Sequence, residues 1–254
     1  MWGPKFELSG QNHSLVLRDI SHRDNRTLPH IPSATVLRHL SSDAQGQVVE
    51  ILAYGAGARA VGWMENGRDR VVWGVHAKTE TGEVCVGFSG FNAVPMRQYP
   101  SEAKWYEVES YTTLLNQNFL GQKIATATHS YRTAFGFALG LDCFRASIIK
   151  GNELSRRALL RAGYLEFGEA PKLDVDGRQR LDFRLYNPRL AALAVDHAML
   201  TAAGYGNSGV TPAAVKGSME YITAVQQALP HVREATEKWL GERADRLMYL
   251  PGGQ

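Results

Sequence analysis

The stretch that most constrains the fold is GNELSRRALLRAGY, which occupies residues 151–164. Asn152 can accept hydrogen bonds from the free backbone N–H groups that begin a helix, and Gly163 can take the left-handed backbone that ends one. Three apolar residues recur between them at helical spacing and predict one buried face: Leu154, Ala158 and Ala162. The segments on either side favour extended structure. The stretch therefore predicts a short helix between two strands.

The chain of 254 residues is long enough for one domain with an appendage or for two small domains. It contains no apolar run long enough to span a membrane and no basic start followed by an apolar segment, so we expect neither a membrane helix nor a secretory signal, and a cytoplasmic location. Its two cysteines, Cys85 and Cys143, lie in apolar, strand-like runs and are expected to be buried thiols. Neither has partners at metal-ligand spacing, so no metal site is predicted.

The charge of the chain is unevenly distributed. The net charge is only +3, but residues 117–189 contain twelve Lys and Arg against seven Asp and Glu. Such a basic half can contact a phosphorylated ligand or nucleic acid, or it can be solvated surface. Arg156, Arg157 and Arg161 are explained as the solvated face of the short helix, so nucleic-acid binding is not expected.

The first half of the chain is predicted to be rich in strands. A strand at residues 13–20 is followed by a helix at 41–54 with plausible caps. The hydrophobic period then changes to two, which predicts antiparallel strands joined by the turns Asn66-Gly67 and Thr81-Gly82. These strands are RAVGWMEN, RVVWGVHAKT, EVCVGFSGFN and a further one at residues 104–115.

The second half alternates helices and strands. A long helix begins near Gly121, and it is followed by the strand CFRASII, the short helix and two closing strands, LEFGEA and RQRLDFRLY. The long helix joins two strands as a parallel crossover, whereas the other connections are antiparallel. The fold class is therefore α/β (α+β), with a mixed, mostly antiparallel sheet flanked by helices. Residues 190–254 are predicted to form a separate helical extension to a domain at residues 1–189, with Thr211 as one helix cap.

Two motifs in the second half indicate a function. The segment LGQKIA, residues 120–125, precedes the long helix, where the backbone N–H groups of a helix N-terminus can attract an anion. The second motif is Asn152, Ser155 and Gly163-Tyr164 at their observed intervals. In this order, the two motifs resemble the pyrophosphate loop and the Asn-containing helix of the GCN5-related N-acetyltransferase (GNAT) superfamily. The resemblance covers roughly residues 13–188, with motifs only in 104–186.

The resemblance implies an enzyme that uses acetyl-CoA as co-substrate and transfers its acetyl group directly to an amine in a ternary complex. It implies these cofactor-binding residues: Leu115, Leu120, Gly121, Gln122, Lys123, Ile124, Ala125, Asn152 and Arg156. Asn152 would contact the pantetheine arm, or it would serve as a helix cap alone. Leu120 and Lys123 depart from the family's pattern of Arg or Gln and of Gly. The ammonium of Lys123 can point at a phosphate, or its bulk can block the loop.

The transfer needs a base for the amine, a backbone N–H for the oxyanion and a proton for the thiolate. Glu107 and Glu109 lie two apart on a strand, so they share a face and either can be the base, unless both only face solvent. The resemblance places Ser155 near the thioester. Leu159 stands where many members have a tyrosine acid; Tyr164 or Tyr131 would replace it, or both belong to the core.

Two classes of function remain open at this point. The first is the N-acyltransferase, with a CoA thioester and a small-molecule or protein amine as partners. The second is a GNAT-fold protein that has lost catalysis and acts as a binding or structural component, for example in a virion or another assembly. The apolar stripe of the C-terminal helices predicts packing onto the core or pairing with a second subunit as a homo-oligomer.

Overall fold

The computed structural model describes residues 5–9, 14–18, 38, 70–93 and 107–242. The expected helix at 41–54, the expected strand RAVGWMEN and the Asn66-Gly67 turn lie outside the described residues. The chain divides into two compact units: unit 1 is Met1–Asn92 with Tyr111–His129, and unit 2 is Ala93–Ser110 with Ser130–Gln254.

Unit 1 is built on an antiparallel meander. Strands β1 (Phe6–Ser9), β2 (Ser14–Arg18), β3 (Arg70–Thr79) and β4 (Gly82–Ala93) pair with their neighbours in chain order. The second, third and fourth of these confirm strands expected from the alternating pattern. β1 was not expected, because its segment is only four residues long.

Aromatic residues form the centre of unit 1. Trp73 is fully buried, and its ring lies 6.3 Å from that of Phe6 and 6.2 Å from that of Phe91. The three rings come from β3, β1 and β4 and are held together by burial of their apolar surface. The short first strand is therefore fixed by the side chain of Phe6.

Unit 2 contains both parallel and antiparallel strand pairs. The first half of β5 (Glu107–Leu114) pairs in parallel with β6 (Cys143–Ile149), and β6 pairs antiparallel with β8 (Arg180–Tyr186). The strand β7 (Leu165–Glu169) lies on the other side of β8. The predicted parallel step and the predicted fold class, a mixed and mostly antiparallel sheet with flanking helices, are both confirmed.

Two helices connect these strands. Helix α1 (Ile124–Ala138) begins in unit 1 and ends in unit 2, where Phe137 packs edge-on against Phe144 at 5.3 Å. Helix α2 (Glu153–Arg161) is the short helix expected from the opening motif.

The buried face of α2 differs from the prediction at its first turn. Ala158 and Ala162 are buried as expected, but Leu154 is 52% exposed. Positions four apart rotate by about 400°, so successive residues of such a row drift by about 40° around the helix. Over eight residues this drift carries Leu154 off the buried stripe, and Leu159 is buried instead.

The C-terminal extension consists of α3 (Ala191–Ala202), α4 (Pro212–Ala228) and α5 (Pro230–Gly241). Thr211 caps α4 by accepting a hydrogen bond from the N–H of Ala214 at 3.2 Å, as predicted. The boundary at residue 190 remains a prediction.

The extension packs onto the strands and helices of unit 2. One buried cluster joins residues of β6, β7 and β8 to residues of α3 and α4: Cys143, Phe167, Tyr186, Ala194, Ala198, Val215 and Met219. Helix α5 packs on α1, where Trp239 meets Phe135 edge-on at 5.3 Å. Of the two expected arrangements, packing onto the core is therefore observed, whereas pairing with a second subunit remains a prediction.

Candidate functional site

The loop before α1, in unit 1, has an unusual backbone. Gly121 has φ +78°, and Lys123 has φ +61°; among the described residues Lys123 is the only non-glycine residue with a positive φ. A side chain at Gly121 would meet nothing within 4 Å, so glycine is needed there for its conformation and not for space. The first turn of α1 carries no acidic residue, so the N–H groups at its start can attract an anion.

The other loop residues are partly or fully buried, or they form hydrogen bonds that hold the loop in place. Leu115 and Ile124 are buried, and the N–H of Leu115 donates to the carbonyl of Val86 at 2.8 Å. Leu120 and Ala125 are half-buried. The amide of Gln122 donates to the carbonyl of Asn118 at 2.8 Å, which fixes the turn. The exposed backbone at Gly121 and Lys123 is therefore the part of this loop that a ligand can approach.

In unit 2, Asn152 is a helix cap. Its side-chain oxygen accepts a hydrogen bond from the N–H of Ser155 at 3.2 Å, and Gly163 follows the helix with φ +88°. Of the two roles expected for Asn152, the structure shows that of a helix cap. Ser155 is half-buried on the first turn of α2.

The arginines of α2 differ in their contacts. Nε of Arg156 lies 2.8 Å from the carboxylate of Glu166, and its Nη1 lies 3.5 Å from that of Glu153. The hydrogen bond with Glu166 is the main cause that raises the pKa of Arg156. Arg157 and Arg161 are exposed, as the solvated face of the helix predicts. The guanidinium of Arg156 would have to leave two carboxylates to reach a phosphate.

Tyr164 belongs to a buried hydrogen-bond chain in unit 2. Arg132 donates to its hydroxyl at 3.1 Å, and that hydroxyl lies 3.1 Å from Oγ of Ser110. Ser110 donates its own proton to the carbonyl of Arg145 at 3.0 Å. Because a serine hydroxyl has only one proton, Tyr164 is the donor to Ser110. The proton of Tyr164 is therefore committed within the core.

Glu107 and Glu109 lie on one face of β5, as predicted. Val108 and Ser110 between and after them are buried, which is the alternation of a strand. Because Tyr164 bonds to Ser110, it lies on the opposite face of the strand from the two glutamates. The structure brings the two candidate bases together but does not bring the candidate acid Tyr164 to them.

A charged cluster on the glutamate face was missed by the sequence analysis. We call it the Asp182 cluster; its members are Glu107, Arg145, Asp182, Arg184 and Tyr205. Asp182 is fully buried, and it accepts hydrogen bonds from Tyr205 at 2.6 Å and from Arg145 at 2.9 Å. Arg184 donates to Tyr205 at 3.2 Å, and its Nε lies 3.9 Å from the carboxylate of Glu107.

The electrostatics keep this cluster charged. Burial by itself would raise the pKa of Asp182, but Arg145 and the hydrogen bond from Tyr205 lower it below its usual range. Burial by itself would likewise lower the pKa of Arg184, but the carboxylate of Glu107, together with Cys143 and the hydrogen bond to Tyr205, raises it. The alternating charges of RLDFRLY were the available sequence signal, and they were interpreted only as the pattern of a closing strand.

The remaining candidates belong to the core. Leu159 is buried, so no hydroxyl occupies the position where the family often has a tyrosine. The side chain of Tyr131 is buried, and its ring lies 5.8 Å from that of His231. Cys85 and Cys143 are free and buried, as expected.

The part of the chain that the structure describes contains neither a candidate membrane helix nor a cluster of candidate metal ligands. Within it, no helix has the length and apolar character needed to cross a membrane. No group of three or more metal-ligating side chains occurs among the same residues.

The GNAT-like fold that the two motifs predicted is confirmed at the level of element order. The order along the chain is a strand meander, β5, α1, β6, α2, β7 and β8, and in unit 2 β8 lies between β6 and β7. No protein-family model matches the sequence, and no curated protein matches it significantly.

Three of the solved structures to which this chain is similar are acetyltransferases. A GNAT-family acetyltransferase from Bacillus anthracis aligns over 71% of this chain and 98% of its own, with 14% identity and a TM-score of 0.49. An acetyltransferase from Agrobacterium tumefaciens covers 72% and 95%, with 18% identity and a TM-score of 0.45. The microcin C7 self-immunity acetyltransferase MccE, solved with acetyl-CoA and AMP, covers 68% and 92%, with 13% identity and a TM-score of 0.45.

Proposed function

We propose that this chain is an acetyl-CoA-dependent N-acyltransferase that passes an acetyl group directly to an amine within a ternary complex. The observation that carries the proposal is the backbone of Lys123. This lysine stands where the family motif has glycine, yet it takes the left-handed conformation that glycine would take. This conformation supports a loop whose backbone N–H groups can turn towards an anion, and the exposed lysine would add a positive charge to it.

The proposal assigns roles to the loop before α1 and to the candidate catalytic residues. The backbone of residues 120–125 holds the pyrophosphate, and the ammonium of Lys123 neutralises part of its charge. Glu107 or Glu109 takes the proton of the attacking amine, and a backbone N–H of β5 stabilises the oxyanion. Ser155, half-buried on α2, is the hydroxyl of the motif that is left to supply the thiolate with a proton, since Tyr164 donates to Ser110. The two free thiols suit a reducing cytoplasm.

The test is calorimetric titration of acetyl-CoA into wild-type protein, Gly121→Ala and Gly177→Ala. Both glycines have positive φ, +78° and +73°, and neither has an atom within 4 Å of an added side chain. Both substitutions therefore impose a similar backbone strain of about 1–2 kcal/mol. We expect only Gly121→Ala to weaken binding, by about tenfold.

Absence of binding by the wild-type protein at millimolar acetyl-CoA would refute the proposal. Equal losses in both glycine variants would refute the assignment of the loop, because Gly177 lies in the turn between β7 and β8.

A catalytically inactive binding or structural protein with the same fold is the second candidate. It is favoured by the buried Leu159 and by the opposite faces occupied by Tyr164 and the two glutamates. Turnover of acetyl-CoA with a panel of amines separates the two candidates. Binding without turnover on any amine would favour the second, and homo-oligomers in sedimentation would agree with an assembly role.

A further inference from the structure

The Asp182 cluster connects a candidate base to the C-terminal extension. Tyr205 lies three residues beyond the end of α3, and its hydroxyl accepts a hydrogen bond from Arg184 while it donates one to Asp182. The guanidinium of Arg184 then approaches Glu107 at 3.9 Å. Three side chains therefore link the extension to β5.

The position of Arg184 is fixed from several directions. Its guanidinium carbon lies 4.9 Å above the ring of Phe167 and 5.9 Å from the ring of Tyr205. The Arg184 side chain is only 8% exposed, so water does not compete strongly for its charge. A cation held in this way attracts a carboxylate beside it.

Glu107 is the solvent-accessible carboxylate of the Asp182 cluster. Its side chain is 24% exposed, whereas Asp182 at the other end is fully enclosed. One oxygen of Asp182, Oδ2, accepts hydrogen bonds from both Arg145 and Tyr205. The cluster thus has one enclosed carboxylate that anchors it and one accessible carboxylate that a substrate can approach.

We propose that Tyr205 and Arg184 are positioning residues that fix the carboxylate of Glu107 for the amine acceptor, so that the C-terminal extension takes part in acyl transfer. The inference rests on the proposed function. It assigns to the extension a role in handling the acceptor and none in holding acetyl-CoA.

The test compares Tyr205→Phe with Tyr221→Phe in steady-state kinetics with an accepted amine and in acetyl-CoA titrations. Tyr205→Phe keeps the ring beside Arg184 and removes only the hydroxyl. We expect kcat/KM for the amine to fall about tenfold, with acetyl-CoA affinity unchanged. Tyr221 is the control, because its hydroxyl also donates a hydrogen bond within the protein, to the carbonyl of Arg161, but outside the cluster. Its variant should keep the wild-type rate.

A double-mutant cycle identifies the route of the effect. If Tyr205 acts through Glu107, Tyr205→Phe will cost little in a Glu107→Gln background. The same tenfold loss in both backgrounds would overturn the inference, and so would an unchanged rate in Tyr205→Phe. Arg184→Lys provides a second test, since it keeps the charge and loses the forked donors; a wild-type rate there would also overturn the inference.

The proposed function and the role of the Asp182 cluster can be overturned by different results. A wild-type protein that neither binds acetyl-CoA nor turns over any amine overturns both proposals. A wild-type enzyme with normal turnover in Tyr205→Phe overturns only this one.

Discussion

Lys123 has a backbone conformation that its side chain disfavours. A left-handed residue other than glycine costs about 1–2 kcal/mol, and the extra freedom of glycine in the unfolded chain offsets part of this. We therefore expect Lys123→Gly to raise the free energy of unfolding by about 0.5–1 kcal/mol, measured by urea denaturation. Lys172→Gly is the control, because Lys172 is also exposed but has no positive φ, and no gain is expected there. A destabilised Lys123→Gly would contradict the loop conformation described here.

The roles of some single residues can be predicted from the neighbouring sequence alone. Asn152 and Thr211 were recognised as caps because a cap depends only on the next three residues. Tyr164 was recognised as a candidate acid but not as the donor to Ser110, which is 54 residues away in the sequence. Its role depends on a neighbour that local patterns do not specify.

At the scale of elements, the docking of α3 depends on a buried histidine. His197 lies 3.1 Å from the hydroxyl of Tyr186, and burial, together with the charge of Arg184, lowers its pKa to about 4. The unfolded chain has the ordinary pKa of about 6.5, so it binds the proton more readily than the folded chain. The stabilising contribution is fully present above pH 6.5 and is lost as the pH falls through 4.

We expect this histidine to reduce the free energy of unfolding by about 3 kcal/mol between pH 7 and pH 4, beyond the change caused by other groups. Urea denaturation of wild type and His197→Gln across this range measures the difference. His231→Gln is the control, because His231 is exposed on α5. Equal pH dependence in wild type and His197→Gln would show that His197 is not buried as described.

At the scale of the whole molecule, the extension is a large contributor to the stability of unit 2. Trp239 on α5 is 3% exposed and packs on Phe135 of α1. Removal of a buried aromatic side chain typically costs about 3–5 kcal/mol, since it leaves a cavity. We expect Trp239→Ala to lower the free energy of unfolding by this amount in urea denaturation.

The control for Trp239→Ala is Leu200→Ala. Leu200 also belongs to the extension, but it is 66% exposed, so its truncation should change stability by less than about 0.5 kcal/mol. Similar losses in both variants would mean that the extension is not docked through Trp239.

The sequence by itself determined the elements of this protein. Alternation predicted β3, β4 and β8, and the β-rich run CFRASII predicted β6. Helical spacing with caps predicted α2 and α4. Each of these signals acts between residues close in the chain. The two motifs also predicted the GNAT-like order of elements. Their assignment as cofactor-binding residues remains a prediction.

Only the tertiary structure decided what each face of the elements contacts. The charges of β8 followed the pattern of a closing strand, but the extension covers them, and they form the Asp182 cluster with Tyr205. Glu107 also has a neighbour that is distant in the sequence. Arg184, which lies 3.9 Å from its carboxylate, belongs to a strand 77 residues later. Strand alternation fixes which residues share a face, whereas burial of that face depends on segments far away in the sequence.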